Sequence, residues 1–86
     1  MNEKEEERIR GLFRENLKKL REAKELSLLN IAQNSDLDNS NFSKYERSRD
    51  PQLITLFKIA EALKIHPREL LDIGIDFTEP KPGAKK

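Results

Sequence analysis

The stretch that decides the fold is Ser27-Leu28-Leu29-Asn30-Ile31-Ala32-Gln33-Asn34-Ser35-Asp36-Leu37-Asp38-Asn39-Ser40-Asn41-Phe42-Ser43-Lys44-Tyr45-Glu46-Arg47. Ser27 stands just ahead of Leu28, Leu29, Ile31 and Ala32. A serine there accepts the free N–H groups that open a helix, so a short helix is predicted over 28–35. Asn34, Ser35, Asp36, Asp38 and Asn39 surround a single Leu37, which reads as a tight turn with the leucine plugging its corner. Asp36 opens that turn, and its backbone is expected in the left-handed region, which Asp tolerates better than most residues. Ala32, small and four residues before the turn, lets a second helix cross closely. Asp38 is expected to cap that second helix, over 39–47. Phe42 and Tyr45, three apart, pin one face of it to a core and leave Asn39, Ser40, Asn41 and Lys44 facing out.

Upstream, Ile9, Phe13, Leu17 and Leu20, with Leu12 alongside, share one helical face, and the helix is expected to run to about Lys24. Gly11 interrupts it at a cost of roughly 1 kcal/mol against alanine. Residues 1–8 read as a charged lead-in whose first four residues fray. Downstream, Ser48-Arg49-Asp50-Pro51 is a loop, and Leu53, Leu56, Phe57, Ile59, Ala60 and Leu63 form the stripe of a fourth helix. Pro67 sits at the first position of a fifth helix, where its missing N–H costs nothing, and that helix holds Leu70 and Leu71. The domain is thus expected over 9–71. Over 72–78 apolar and polar residues alternate, as in an extended segment. Residues 79–86 read as a disordered basic tail.

Composition narrows the class. The chain has 86 residues, 35% hydrophobic and 38% charged, enough for one thin-cored helical domain and too few for a roomy catalytic cleft. It has no cysteine, which excludes disulfides, thiolate metal sites and cysteine catalysis. The charged N-terminal residues are neither a signal peptide nor a membrane span, so a cytoplasmic protein with no membrane contact is expected. The net charge is only +1, so any case for a nucleic-acid partner rests on where the charges lie. Acid gathers at Glu3, Glu5, Glu6 and Glu7, and base at Lys44, Arg47 and Arg49, then at Lys81, Lys85 and Lys86.

The sequence resembles a known family in Leu20-Arg21-Glu22-Ala23-Lys24, Leu26-Ser27 with Ile31-Ala32, Phe42-Ser43-Lys44-Tyr45-Glu46-Arg47, Pro51-Gln52-Leu53 and Leu56-Phe57-Lys58-Ile59-Ala60-Glu61-Ala62-Leu63. From Phe13 to Leu71 the chain resembles the lambda-repressor-like, Cro-type (XRE-family) helix-turn-helix regulators. The resemblance implies an all-α, five-helix DNA-binding domain, here followed by the short extended C-terminal segment. It also implies a third helix laid in the major groove of a double-stranded operator, and homodimers on pseudo-palindromic sites with recognition helices about 34–36 Å apart. The function expected is therefore that of a transcriptional regulator, a repressor by preference. The chain departs from the family at Leu28, where Gln often follows the capping serine, and at Asp36 and Ser48, where Gly is usual.

Within that frame each residue has a role. Asn39, Ser40, Asn41 and Lys44 are expected to read base edges, since Asn pairs bidentately with adenine and Lys reaches guanine acceptors. Ser43, Arg47 and Arg49 are expected on phosphates, which position a protein without reading sequence. The resemblance implies that Arg21 and Glu46 meet as an internal ion pair. Leu71, Ile73, Ile75 and Phe77 form the expected dimer segment; the alternative is that they fold back over Ile9 and Phe13.

Competing chemistries fare poorly. A calcium loop over 36–47 would need Gly and Glu where Asn41 and Arg47 stand. The glycosylation pattern Asn41-Phe42-Ser43 lacks a secretory signal. His66, the only histidine, precedes Pro67 in a helix-opening loop, where a surface or capping role is expected rather than catalysis. Gly11, Gly74 and Gly83 are isolated and build no phosphate loop. No enzyme and no cofactor are expected. The competing reading is a protein-interaction module such as an antitoxin, to which the near-neutral charge and the apolar Leu28 and Leu29 lend some weight.

Overall fold

The computed structural model describes residues 1–37 and 39–78, with the side chains of 39 and 40 excepted. Four α-helices and one 3-10 turn follow in order: α1 (Glu3–Ala23), α2 (Leu28–Asn34), α3 (Asn39–Arg47), α4 (Leu53–Leu63) and the turn Pro67–Leu71. The expected cap at Asp38 and the expected tail over 79–86 lie outside the described residues.

α1 begins earlier than its apolar face suggests. The Asn2 side chain accepts the Glu5 N–H at 2.8 Å, and Glu3, Glu5 and Glu6 occupy the first turn, where negative charge suits the helix dipole. The charged lead-in is therefore helical from Glu3 rather than frayed. α1 ends at Ala23 with Lys24 as its C-cap, after which Glu25 takes a left-handed backbone (φ 58°). Ser27 then caps α2: its hydroxyl accepts the Asn30 N–H at 3.1 Å, and the Asn30 side chain accepts the Ser27 N–H at 3.1 Å.

The turn between α2 and α3 is built by Ser35, not by a left-handed Asp36. Glu25 and Lys64 are the non-glycine residues with positive φ among those described. Ser35 is extended (φ −151°), its hydroxyl hydrogen-bonds the Ile31 carbonyl at 2.5 Å, and it accepts the Leu37 N–H at 3.2 Å. A side chain that closes the turn from within lets Asp36 stay out of the left-handed region. Leu37 is buried at the corner as expected.

Each element gives the core at least one side chain. Leu17 of α1, Ile31 of α2, Phe42 of α3, Ile59 and Leu63 of α4 and Leu70 of the 3-10 turn are all essentially inaccessible to solvent. Burying each contributes about 1.5–3 kcal/mol. Tyr45 and Leu28 pack against this core while partly exposed, so of the two apolar residues opening α2 only Leu29 stands out in solvent.

The expected fifth helix is a single 3-10 turn. Pro67 opens it, the His66 Nδ1 accepts the Arg68 N–H at 3.1 Å, and the Glu69 carboxylate accepts the His66 N–H at 3.1 Å. The Asn16 side chain of α1 donates to the Glu69 carbonyl at 2.7 Å and to the Leu70 carbonyl at 3.3 Å. These are the carbonyls that a continuing helix would use, so the turn stops once Leu70 is buried.

Beyond it no strand forms among the described residues. Gly74 is left-handed (φ 81°), which breaks the period-two alternation. Ile73 packs against the core, and with Leu71 it borders an open groove beside Ile9 and Phe13 of α1.

Candidate nucleic-acid interface

Phe42, fully buried, fixes the rotation of α3. At about 100° per residue, Lys44 stands nearly opposite Phe42, with Asn41 and Ser43 on the two flanks and Arg47 close to Lys44. Asn41, Ser43 and Lys44 are partly exposed and Arg47 is exposed. Asn39 and Ser40 occupy the first turn of the helix, and their side chains are outside the described ones.

Arg49 comes to the same surface from the loop after α3. Its guanidinium donates to the Asn41 side-chain oxygen at 3.5 Å, and the Ser48 and Arg49 N–H groups both donate to the Lys44 carbonyl at 2.8 Å. On the other flank the Arg47 Nε donates to the Ser43 carbonyl at 3.3 Å. The structure thus groups Asn41 with Arg49 and Ser43 with Arg47, with Lys44 between them.

Among the described residues, two carboxylates flanking this cluster, Glu46 and Asp50, are held by α1 arginines. Arg21 meets Glu46 through Nε–Oε2 at 2.6 Å and Nη2–Oε1 at 3.2 Å, and its Nη1 donates to the Leu26 carbonyl at 2.9 Å. The side chains of the pair are 13% and 8% exposed. The hydrogen bond to Glu46, against some desolvation, holds the Arg21 guanidinium above its ordinary pKa. Arg10 donates from Nε to both oxygens of Asp50, at 3.0 and 3.2 Å. The hydrogen bond to Asp50 and then its charge raise the Arg10 pKa as well. In a chain of net charge +1, Lys44, Arg47 and Arg49 thus stand beside two carboxylates that are already paired with α1 arginines.

Arg10 and Arg14 contact the loop after α3, at Asp50 and Ser48, and sequence reasoning did not single them out. Their spacing from Glu6 and Glu7 signals local helical pairing and gives no sign of contact with a loop about forty residues on.

Residues 17–70 match the helix-turn-helix family. The chain belongs to the helix-turn-helix family. Among solved structures it is similar to the restriction-modification controller protein C.AhdI from Aeromonas hydrophila, with 42% identity over 71% of this chain and 94% of that one and a TM-score of 0.66. No curated protein matches the chain. Family and likeness together make it a DNA-binding transcription regulator of the Cro type, which disfavours the separate interaction-module reading. No helix among the described residues is long and apolar enough to cross a membrane.

Proposed function

We propose that this helix-turn-helix protein is a controller-type regulator that binds a specific duplex operator as a homodimer, with α3 in the major groove. The observation that carries the reading is the orientation of α3. Phe42 locks its apolar side inward, and Lys44, Arg47 and the loop residue Arg49 gather on the outer side while Glu46 and Asp50 are bound from behind. Asn39, Ser40, Asn41 and Lys44 read base edges; Ser43, Arg47 and Arg49 hold phosphates. The role of C.AhdI as a restriction-modification controller supports the same role here, at 42% identity over nearly all of that protein.

The homodimer needs an apolar surface, and the outer face of α4 offers one. Leu53, Ile54 and Phe57 are 66%, 64% and 51% exposed, and their spacing puts them on one side of the helix. This surface is more regular than the bent segment carrying Leu71 and Phe77, and we place the interface there.

The test is selection of bound sites from a random duplex library, followed by substitution. Asn39→Ala and Asn41→Ala should each cost about 1–3 kcal/mol on the selected site and little on other DNA. Arg47→Ala should weaken all sequences alike. Asn substitutions that leave site preference untouched would remove α3 as the reader.

A further inference from the structure

The loop joining α3 to α4 is anchored on both sides of Arg49. Before it, the Arg14 Nη2 of α1 donates to the Ser48 carbonyl at 3.3 Å. After it, the Arg10 Nε grips both oxygens of Asp50. The two arginines are themselves oriented by the preceding helical turns: Glu7 lies 3.0 Å from Arg14 and 3.5 Å from Arg10, and Glu6 lies 3.7 Å from Arg10. The acidic N-terminal stretch thus serves as the counter-charge of a clamp.

We propose that Arg10 and Arg14 are positioning residues for DNA binding, which fix the 48–50 loop so that Arg49 meets the phosphate backbone without first having to be ordered. The proposal rests on the phosphate role assigned to Arg49 above. A loop arginine that must be ordered on binding loses affinity to that ordering, and a loop held beforehand does not. Stability has little stake in the clamp. Its carboxylates are well exposed, with the Asp50 and Glu7 side chains at 61% and 62%, and exposed pairs contribute little to folding.

Asp50 makes the idea testable by sign. Its charge lies beside Arg49 and by itself repels DNA, so Asp50→Asn should tighten binding if charge alone matters. If the clamp matters, the same substitution weakens it. The experiment measures affinity of the whole chain for a short mixed-sequence duplex across a range of salt, for Arg10→Gln, Asp50→Asn, Arg49→Ala and the doubles with Arg49→Ala, alongside each unfolding midpoint. The clamp requires Arg10→Gln and Asp50→Asn each to weaken binding several-fold at an unchanged midpoint, and to have no further effect once Arg49 is alanine. Binding that is unchanged or tighter in Asp50→Asn overturns it. So does an Arg10→Gln loss of equal size in both backgrounds, which would make Arg10 a DNA contact in its own right, and so does a loss that follows a falling midpoint. Arg49→Ala with undiminished affinity and salt dependence would instead remove the phosphate role of Arg49, and the clamp with it.

Discussion

Arg21 joins the end of α1 to the end of α3 through one carboxylate. With side chains 13% and 8% exposed, neither partner is fully hydrated, and removing one strands the other. Arg21→Ala or Glu46→Ala should each cost about 3 kcal/mol in chemical denaturation, and the double variant little more than either single. Additive losses would mean that the pair acts only as two surface charges. Because Glu46 raises the Arg21 pKa, the arginine's contribution is complete below the ordinary arginine range and is lost only as pH rises through the raised value; it is flat across neutral pH. At this scale the sequence spoke unevenly. The Ser27 cap follows from residue type and place, and the Arg21–Glu46 meeting follows from the family resemblance. Asp36 misled because the hydroxyl one residue earlier closes the turn. The Arg10–Asp50 contact was not legible, since no local rule connects residues so far apart in sequence.

The helices themselves were legible where periodicity was strong. α3 spans Asn39–Arg47 and α2 spans Leu28–Asn34. The misjudged elements are those whose ends depend on a single polar side chain. Asn2 starts α1 inside the charged stretch, and Asn16 stops the last turn before it becomes an α-helix. Gly11 is a direct probe of helix energetics: it lies mid-way in α1, and a Cβ built there meets nothing within 4 Å. Gly11→Ala should therefore stabilise the protein by up to about 1 kcal/mol and raise the thermal midpoint. A lowered midpoint would show that the backbone at this position must bend or pack in a way that α1 as described does not require.

For the whole molecule, the overall charge of +1 conceals an uneven distribution, with Arg10 and Arg21 of α1 paired to Asp50 and Glu46 beside the proposed interface. Under the proposed homodimer, a monomer would read only half of a two-fold site. Phe57→Asp should yield a folded monomer by sedimentation, whereas Phe77→Asp should leave the dimer intact; the reverse result would move the interface to the C-terminal segment. The most direct test of α3 as a sequence reader is a comparison of affinities for a library-selected duplex and a scrambled duplex of equal composition, titrated across salt for the wild type and for Asn41→Ala. The wild type should prefer the selected site by at least about a thousandfold and lose affinity for both steeply as salt rises. Asn41→Ala should lower that preference by about 1–3 kcal/mol while keeping the salt dependence. Equal affinity of the wild type for both duplexes, or a preference that survives the substitution intact, would contradict recognition through the outer face of α3.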